Sequence, residues 1–347
     1  MDKESNRKFT PLNEVGEFGL IDRLTKDFKI NHKSTIKAIG DDAAVIDCGS
    51  KYMVITTDML AEGVHFNLVY TPLKHLGYKA IVVNLSDVYA MNALPKQITV
   101  SMAVSAKFSV EHLDELYSGI RLACEHYGVD LIGGDTTSSY TGLTISVTAI
   151  GEVDKDKIVY RSGAKLNDLV CVSGNLGAAY MGLQLLERER KLFEKGGVQN
   201  PDFGLYNYIL ERQLKPEARK DIITILKDLN IQPTSMIDIS DGLSSEILHL
   251  CKASEMGCSI YQEKIPIEDE TTRMADEFNL PALTAALNGG EDYELLFTVP
   301  LDAFDKIEAC PEITIIGHIS DKNYGCQLIL NSGDEVDITA QGWNAMN

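Results

Sequence analysis

Apolar and polar positions along this chain switch between a period of two and a period near 3.6, and the switches lay out its elements. Residues 43–46 and 52–55 are short apolar runs joined by Cys48, Gly49 and Ser50, a pattern that predicts a β-hairpin. A helix begins within 14–24, with Leu20, Ile21 and Leu24 on one face. From 72 to 92, Leu73, Leu76, Gly77, Ala80, Ile81, Leu85 and Val88 recur at helical spacing, with Thr71 as N-cap and Pro72 at the first helical position. Asn84 and Asp87 fall at the edge of that stripe, where a carboxylate is either solvated or in need of a partner. Residues 97–104 alternate as a strand, 109–127 are amphipathic, 129–132 read as a short buried strand, and 143–153 alternate again. The order β-β-α-β-α-β-β predicts an α+β fold with a half-exposed mixed sheet.

Charges cluster at 151–157, which places a boundary between an N-terminal domain, 1–152, and a C-terminal one, 153–347. In the second part, strands are expected at 169–173, 236–239, 258–261, 295–299, 313–318 and 326–330. Helices are expected after Gly177 through 186, and at 205–213, 216–229, 243–255, 269–278 and 281–287. The polar stretch 187–204 reads as an exposed insertion.

Composition narrows the function. A length of 347 residues suits two domains, and a net charge of -19 argues against nucleic acid and against an anionic membrane surface. The seven cysteines are scattered, odd in number and without a Cys-x-x-Cys pair, so they read as reduced thiols of a cytoplasmic protein rather than a disulfide or zinc framework. No signal core or run of transmembrane length is visible.

The candidate chemistry is acidic. Asp41 and Asp42 end one arm of the hairpin and Asp58 ends the other, so folding brings like charges together, which is unfavourable without a cation. Mg²⁺ takes carboxylate and hydroxyl oxygens, and Thr56 and Thr57 adjoin Asp58. Acids recur at other junctions: Gly134-Asp135, Asp238-Ile239-Ser240-Asp241 and Glu291-Asp292. Each alone is ordinary turn chemistry, but together they favour several Mg²⁺ ions. Arg161 and Lys165 form either a phosphate clamp or a solvated turn. His65, alone in a loop, reads as a surface histidine without further context. No P-loop or Gly-x-Ser-x-Gly motif is present.

Taken in order, Gly40-Asp41-Asp42, Thr56-Thr57-Asp58, His65-Phe66, Asn84-Leu85-Ser86-Asp87, residues 131–137, 161–165, 237–242 and 290–294, and Gly342-Trp343 resemble the thiamine-monophosphate kinase family. That family belongs to the larger aminoimidazole ribonucleotide synthetase-like group. The resemblance spans about 16–343 and is weakest at 1–13 and 190–206. It implies an N-terminal mixed-sheet domain that dimerises through its sheet, followed by an α/β sandwich domain. It also implies transfer of the ATP γ-phosphoryl group to thiamine monophosphate. Carried over, Asp42, Thr56, Thr57, Asp58, Asp87, Asp135, Asp238 and Asp241 hold Mg²⁺. Tyr117, Gly134, Asp135, Arg161 and Ser240 contact ATP, and His65, Glu291 and Trp343 contact thiamine monophosphate. Asp87, Asp135, Arg161 and Asp238 carry the catalysis. The alternatives are another ATP-dependent synthetase of the group, or a non-catalytic nucleotide- or metal-binding module. The first 40 residues lack the cysteine expected of a selenophosphate synthetase.

Overall fold

The computed structural model describes residues 16–196, 203 and 206–340. After helix α1 (Gly16–Thr25), strands β1 (Thr35–Lys37), β2 (Ala44–Asp47) and β3 (Lys51–Ala61) lead into α2 (Leu73–Ala90). Then come β4 (Leu94–Ser105), α3 (Val110–Tyr127), β5 (Asp130–Ser139) and β6 (Thr144–Asp154). These strands form one six-stranded sheet in the order β1-β2-β3-β6-β4-β5. The expected hairpin is present: β2 and β3 pair antiparallel, with Ala44 opposite Ile55.

The second sheet draws on β7 (Leu169–Ser173), β8 (Ser235–Asp238), β9 (Gly257–Tyr261), β10 (Leu295–Val299), β11 (Ile313–Ser320), β12 (Cys326–Ile329) and β13 (Glu335–Asp337). Their order is β13-β12-β9-β11-β7-β10-β8. Around it lie α4 (Ala178–Glu194), α5 (Asn207–Leu214), α6 (Lys220–Asp228), α7 (Leu243–Ser254), α8 (Asp269–Glu277), α9 (Ala282–Asn288) and α10 (Phe304–Glu308). Helices and two sheets segregate as an α+β fold.

Helix α2 is the hub. Its apolar stripe packs into a core that also holds Val147 of the first sheet and Met236 and Phe297 of the second. Its polar side is buried as well: Lys79, Asn84 and Ser86 are each 3% exposed or less. A helix buried all round lies between two layers rather than on a surface. Its contact with α3 is backbone-close, since a Cβ at Gly77 would stand 2.0 Å from the Leu116 carbonyl oxygen, and one at Gly119 1.8 Å from that of Lys74. Only glycine fits at either position.

Three expectations change. The helix starts one residue later than its sequence signals, with extended Pro72 as N-cap residue (ψ 136°). Of the run at 129–132 only Val129 is buried, and the rest opens the exposed ten-residue edge strand β5, with Leu131 44% and Ile132 58% exposed. A short apolar run does not by itself reveal whether anything covers it. The polar stretch from 187 is still helix, because α4 continues to Glu194. Its charges pair along one face, Arg190 with Glu187 at 2.7 Å and with Glu194 at 2.8 Å, and such i,i+3 and i,i+4 pairs sustain a solvent-facing helix.

Candidate active site

Four elements deliver carboxylates to one place between the sheets. Asp42 precedes β2, Asp58 lies on β3, Asp87 is in the last turn of α2, and Asp238 ends β8. Ligand oxygens of Asp42, Asp87 and Asp238 lie within 4.8 Å of one another. Hydrogen bonds hold them in place. Thr56 Oγ1 donates to Asp87 Oδ2 at 2.5 Å, and Ser86 Oγ of α2 donates to Asp238 Oδ2 of β8 at 2.6 Å. Asn84 Oδ1 accepts the Asp58 amide at 3.0 Å, fixing β3 against α2.

The electrostatics are those of crowded, dehydrated acids. Burial, with Asp238 and Asp41 adding to it against Arg161, pushes Asp42 up to about 7. Burial raises Asp58 to about 6 and Asp238 to about 6, and Asp87 is raised well above the usual range by burial and by Asp58, Asp238 and Asp42. Arg161 Nη2 and Nε reach Asp42 Oδ1 at 2.7 and 3.1 Å, and the Arg161 amide donates to Asp41 at 3.1 Å. One guanidinium does not offset four carboxylates. Asp42 Oδ2 is buried without a hydrogen-bond partner. An oxygen-only donor set with an orphaned buried oxygen fits a hard divalent cation such as Mg²⁺.

Beside the cluster, residues 290–293 pack against residues 239–240. Gly290, Glu291 and Tyr293 take φ of 71°, 58° and 52°. For the two non-glycine residues this left-handed backbone is costly and is held by the Glu291 amide on Ser240 O at 2.6 Å and the Tyr293 amide on Ile239 O at 2.8 Å. The strain aims Glu291 at Lys79 Nζ, 2.9 Å away, and at Gln213 Nε2, 2.8 Å away. His65 Nδ1 accepts the Ala61 amide at 3.0 Å, and burial lowers its pKa while Glu291 raises it. His65 and Glu291 therefore share one electrostatic environment. Asp241 is raised to about 6 by burial, Glu17 and Glu291 against Arg161, and its amide donates to buried Glu246 at 3.0 Å.

The remaining expected residues fall elsewhere. Tyr117, Gly134 and Asp135 line one cavity of about 460 Å³ with Val100, Leu131, Gly133 and Thr136. Asp135 stands in the row Met59–Ser146–Ser101–Asp135, one residue out of step with Asp58, so it lies on the open face of the first sheet. Thr57 is on that face too, donating to Val147 O at 2.9 Å. Strand alternation separates it from Thr56 and Asp58. The structure thus does not bring Thr57 or Asp135 to the carboxylate cluster. Trp343 lies outside the described residues. Asn84, Ser86, Lys79, Gln213 and Glu246 hold the site in ways that the sequence pattern alone does not assign. For the first two the signal was present, polar residues flanking an apolar stripe, but their partners are distant in the chain.

A family model described as AIR synthase related protein, N-terminal domain, matches residues 40–153. The chain is 37% identical over 302 residues to a thiamine-monophosphate kinase of Aquifex aeolicus, covering 87% of this chain and 92% of that protein. It is 32% identical to that of Bacillus subtilis, covering 95% and 99%. A solved structure, AaThiL complexed with AMPPCP and TMP, matches with a TM-score of 0.81 at 34% identity, covering 97% of this chain and 99% of that one. With its carboxylate cluster between two sheets and its likeness to these relatives over nearly the full length, the chain belongs to the thiamine-monophosphate kinase family.

Proposed function

We propose that this protein transfers the γ-phosphoryl group of ATP to thiamine monophosphate, forming ADP and thiamine diphosphate. The observation that carries this reading is the convergence of Asp42, Asp58, Asp87 and Asp238 beside Arg161. The acceptor is a phosphate monoester whose second pKa is about 6, so it is largely dianionic at neutral pH and needs no strong general base. The difficulty is the approach of two polyanions, which calls for cations and in-line positioning. Asp42, Asp58, Asp87 and Asp238, with Thr56 and Asp241, would hold Mg²⁺, which supplies charge neutralisation on the phosphate oxygens. Arg161, held at Nε and Nη2 by Asp42, offers its remaining N–H groups to the transferring group. Glu291 and His65 form the acceptor side, where Lys79 and Gln213 keep the Glu291 carboxylate in place. The acceptor oxygen forms its bond to the γ-phosphorus as the bond to ADP breaks, with no phosphoenzyme.

We further propose that a second copy packs on the first sheet. Edge strand β5 is exposed over nearly its whole length, and Met59, Leu94, Leu131 and Ile132 present uncovered apolar surface. Unpaired strand edges invite pairing. Thr57 and Asp135, facing that side, would act at the junction with the second copy. Seven free thiols and the use of ATP suit the cytoplasm.

Incubation with ATP, Mg²⁺ and thiamine monophosphate is expected to yield ADP and thiamine diphosphate together, identified by mass, only when all three are present. Asp87→Asn is expected to lower this turnover by about 10³-fold or more while the fold persists. Release of ADP without thiamine diphosphate, or an active Asp87→Asn, contradicts the assignment.

The raised carboxyl pKa values give a pH signature. An acid whose folded pKa exceeds its unfolded value takes up protons on folding, so its stabilising effect is present at low pH and lost as pH rises through the folded value. For the Asp42, Asp58 and Asp238 group that window runs from 3.8 to about 7. A cation bound only by the folded state restores the loss. Mg²⁺ is therefore expected to raise Tm more at about pH 8 than at about pH 5. Equal shifts at both would remove these carboxylates from the metal site.

Sedimentation equilibrium is expected to give twice the 38.2 kDa chain mass. A monomer at tens of micromolar protein would contradict packing through the sheet.

A further inference from the structure

Three cysteines with no common sequence neighbourhood meet at the far end of the second sheet. Cys251 sits in the last turn of α7, Cys258 on β9 and Cys326 on β12, and their Sγ atoms lie within 4.8 Å of one another. The meeting follows from topology. β12 and β9 run parallel with Cys326 directly beside Cys258, so both side chains leave the sheet on the same face. The C-terminal turn of α7 covers that face and adds Cys251.

All three are free thiols, and the other four cysteines do not belong to the group. Cys251 and Cys258 are 2% and 0% exposed, whereas Cys326 is half-buried and gives access from solvent. Leu250, Ile260 and Ile319 belong to the same apolar cluster. Among the described residues no carboxylate or imidazole joins the sulfur group. The donor set is therefore soft and largely buried, the chemical opposite of the oxygen-rich carboxylate cluster.

We propose that Cys251, Cys258 and Cys326 form a trithiolate site for one thiophilic d¹⁰ cation of the Zn²⁺ or Cu⁺ kind. Metal–sulfur bonds near 2.3 Å hold thiolates about 4 Å apart, so closure from the present spacing needs sulfur shifts of about 1 Å or less. Soft ligands of this kind select against Mg²⁺ and Ca²⁺, which keeps the two sites chemically separate. Binding replaces the thiol protons, which pass to water, and no electron changes hands. On Zn²⁺ a water would complete the set as fourth ligand from the half-buried Cys326 side.

The site would add a direct link between α7, β9 and β12, which already share one apolar cluster. β12 carries the short edge strand β13 and the Ile338 amide bonded to Cys326 O at 2.9 Å. α7 begins two residues after Asp241 and carries Glu246, the buried partner of the Asp241 amide. A bound cation would therefore pin the end of α7 that is remote from the carboxylate cluster, adding stability without touching the reacting groups.

The test uses the reduced full-length protein without oxygen, with Zn²⁺ and, as a spectroscopic probe, Cd²⁺. The wild type is expected to keep one equivalent of Zn²⁺ through gel filtration, to show a sulfur-to-Cd²⁺ charge-transfer band, and to shield Cys326 from alkylation mapped by mass. Cys48→Ser, which removes the exposed thiol, is expected to behave like the wild type. Cys326→Ser, at the half-buried position, is expected to lose the equivalent and the band while keeping its circular dichroism and kinase activity. An unchanged band in Cys326→Ser overturns the proposal. So does a wild type that retains no Zn²⁺ when reduced and instead forms a Cys258–Cys326 disulfide when oxidised.

Discussion

Like charges brought together out of water are the constraint on which this structure turns. Asp42, Asp87 and Asp238 come from three separate elements and converge within 4.8 Å, with Asp58 alongside. Burying even one unpaired carboxylate is expensive, and the protein answers by raising their pKa values and by lending Arg161 to Asp42. That arrangement is a poor device for stability and a good one for gathering divalent cations. Natural active sites carry such a cost elsewhere in the fold.

Helix α2 is where the cost is carried. Its apolar residues knit the core of both sheets, and its polar residues serve the site: Asn84 holds β3, Ser86 holds Asp238, Lys79 holds Glu291, and Asp87 is itself in the cluster. A second buried network supports the turn that carries Glu291. Glu294 pairs with Arg212 at 2.8 Å and with Arg219, and accepts from Ser173 at 2.5 Å, while Asp292 receives the Gly177 amide at 2.8 Å. These partners hold the left-handed turn at Gly290–Tyr293 from within, at Asp292, and just beyond it, at Glu294. Rigid scaffolding around strained backbone is how a geometry that the chain would not choose locally is kept.

Local periodicity carried most of the element map. The hairpin, α2, β7 and β10 follow from alternation and helical spacing, and the acids of the cluster stood out because they abut apolar runs. What stayed hidden depends on partners. The exposure of β5 reflects what does not cover Leu131 and Ile132, and no spacing encodes that. Thr57 and Asp135 resembled their cluster-bound neighbours in sequence, yet strand alternation turns them to the other face. The cysteines looked scattered because the pairing of β9 with β12 and the docking of α7 are tertiary facts. In each case the missing information is which surfaces meet.

The most direct test of the carboxylate account is anomalous scattering from crystals of the protein grown with Mn²⁺ in place of Mg²⁺ and a non-hydrolysable ATP analogue. The account predicts manganese peaks bounded by Asp42, Asp87 and Asp238, weakened in Asp87→Asn. Manganese confined to the nucleotide, with Asp42 still held by Arg161 and no peak among the three carboxylates, would contradict it.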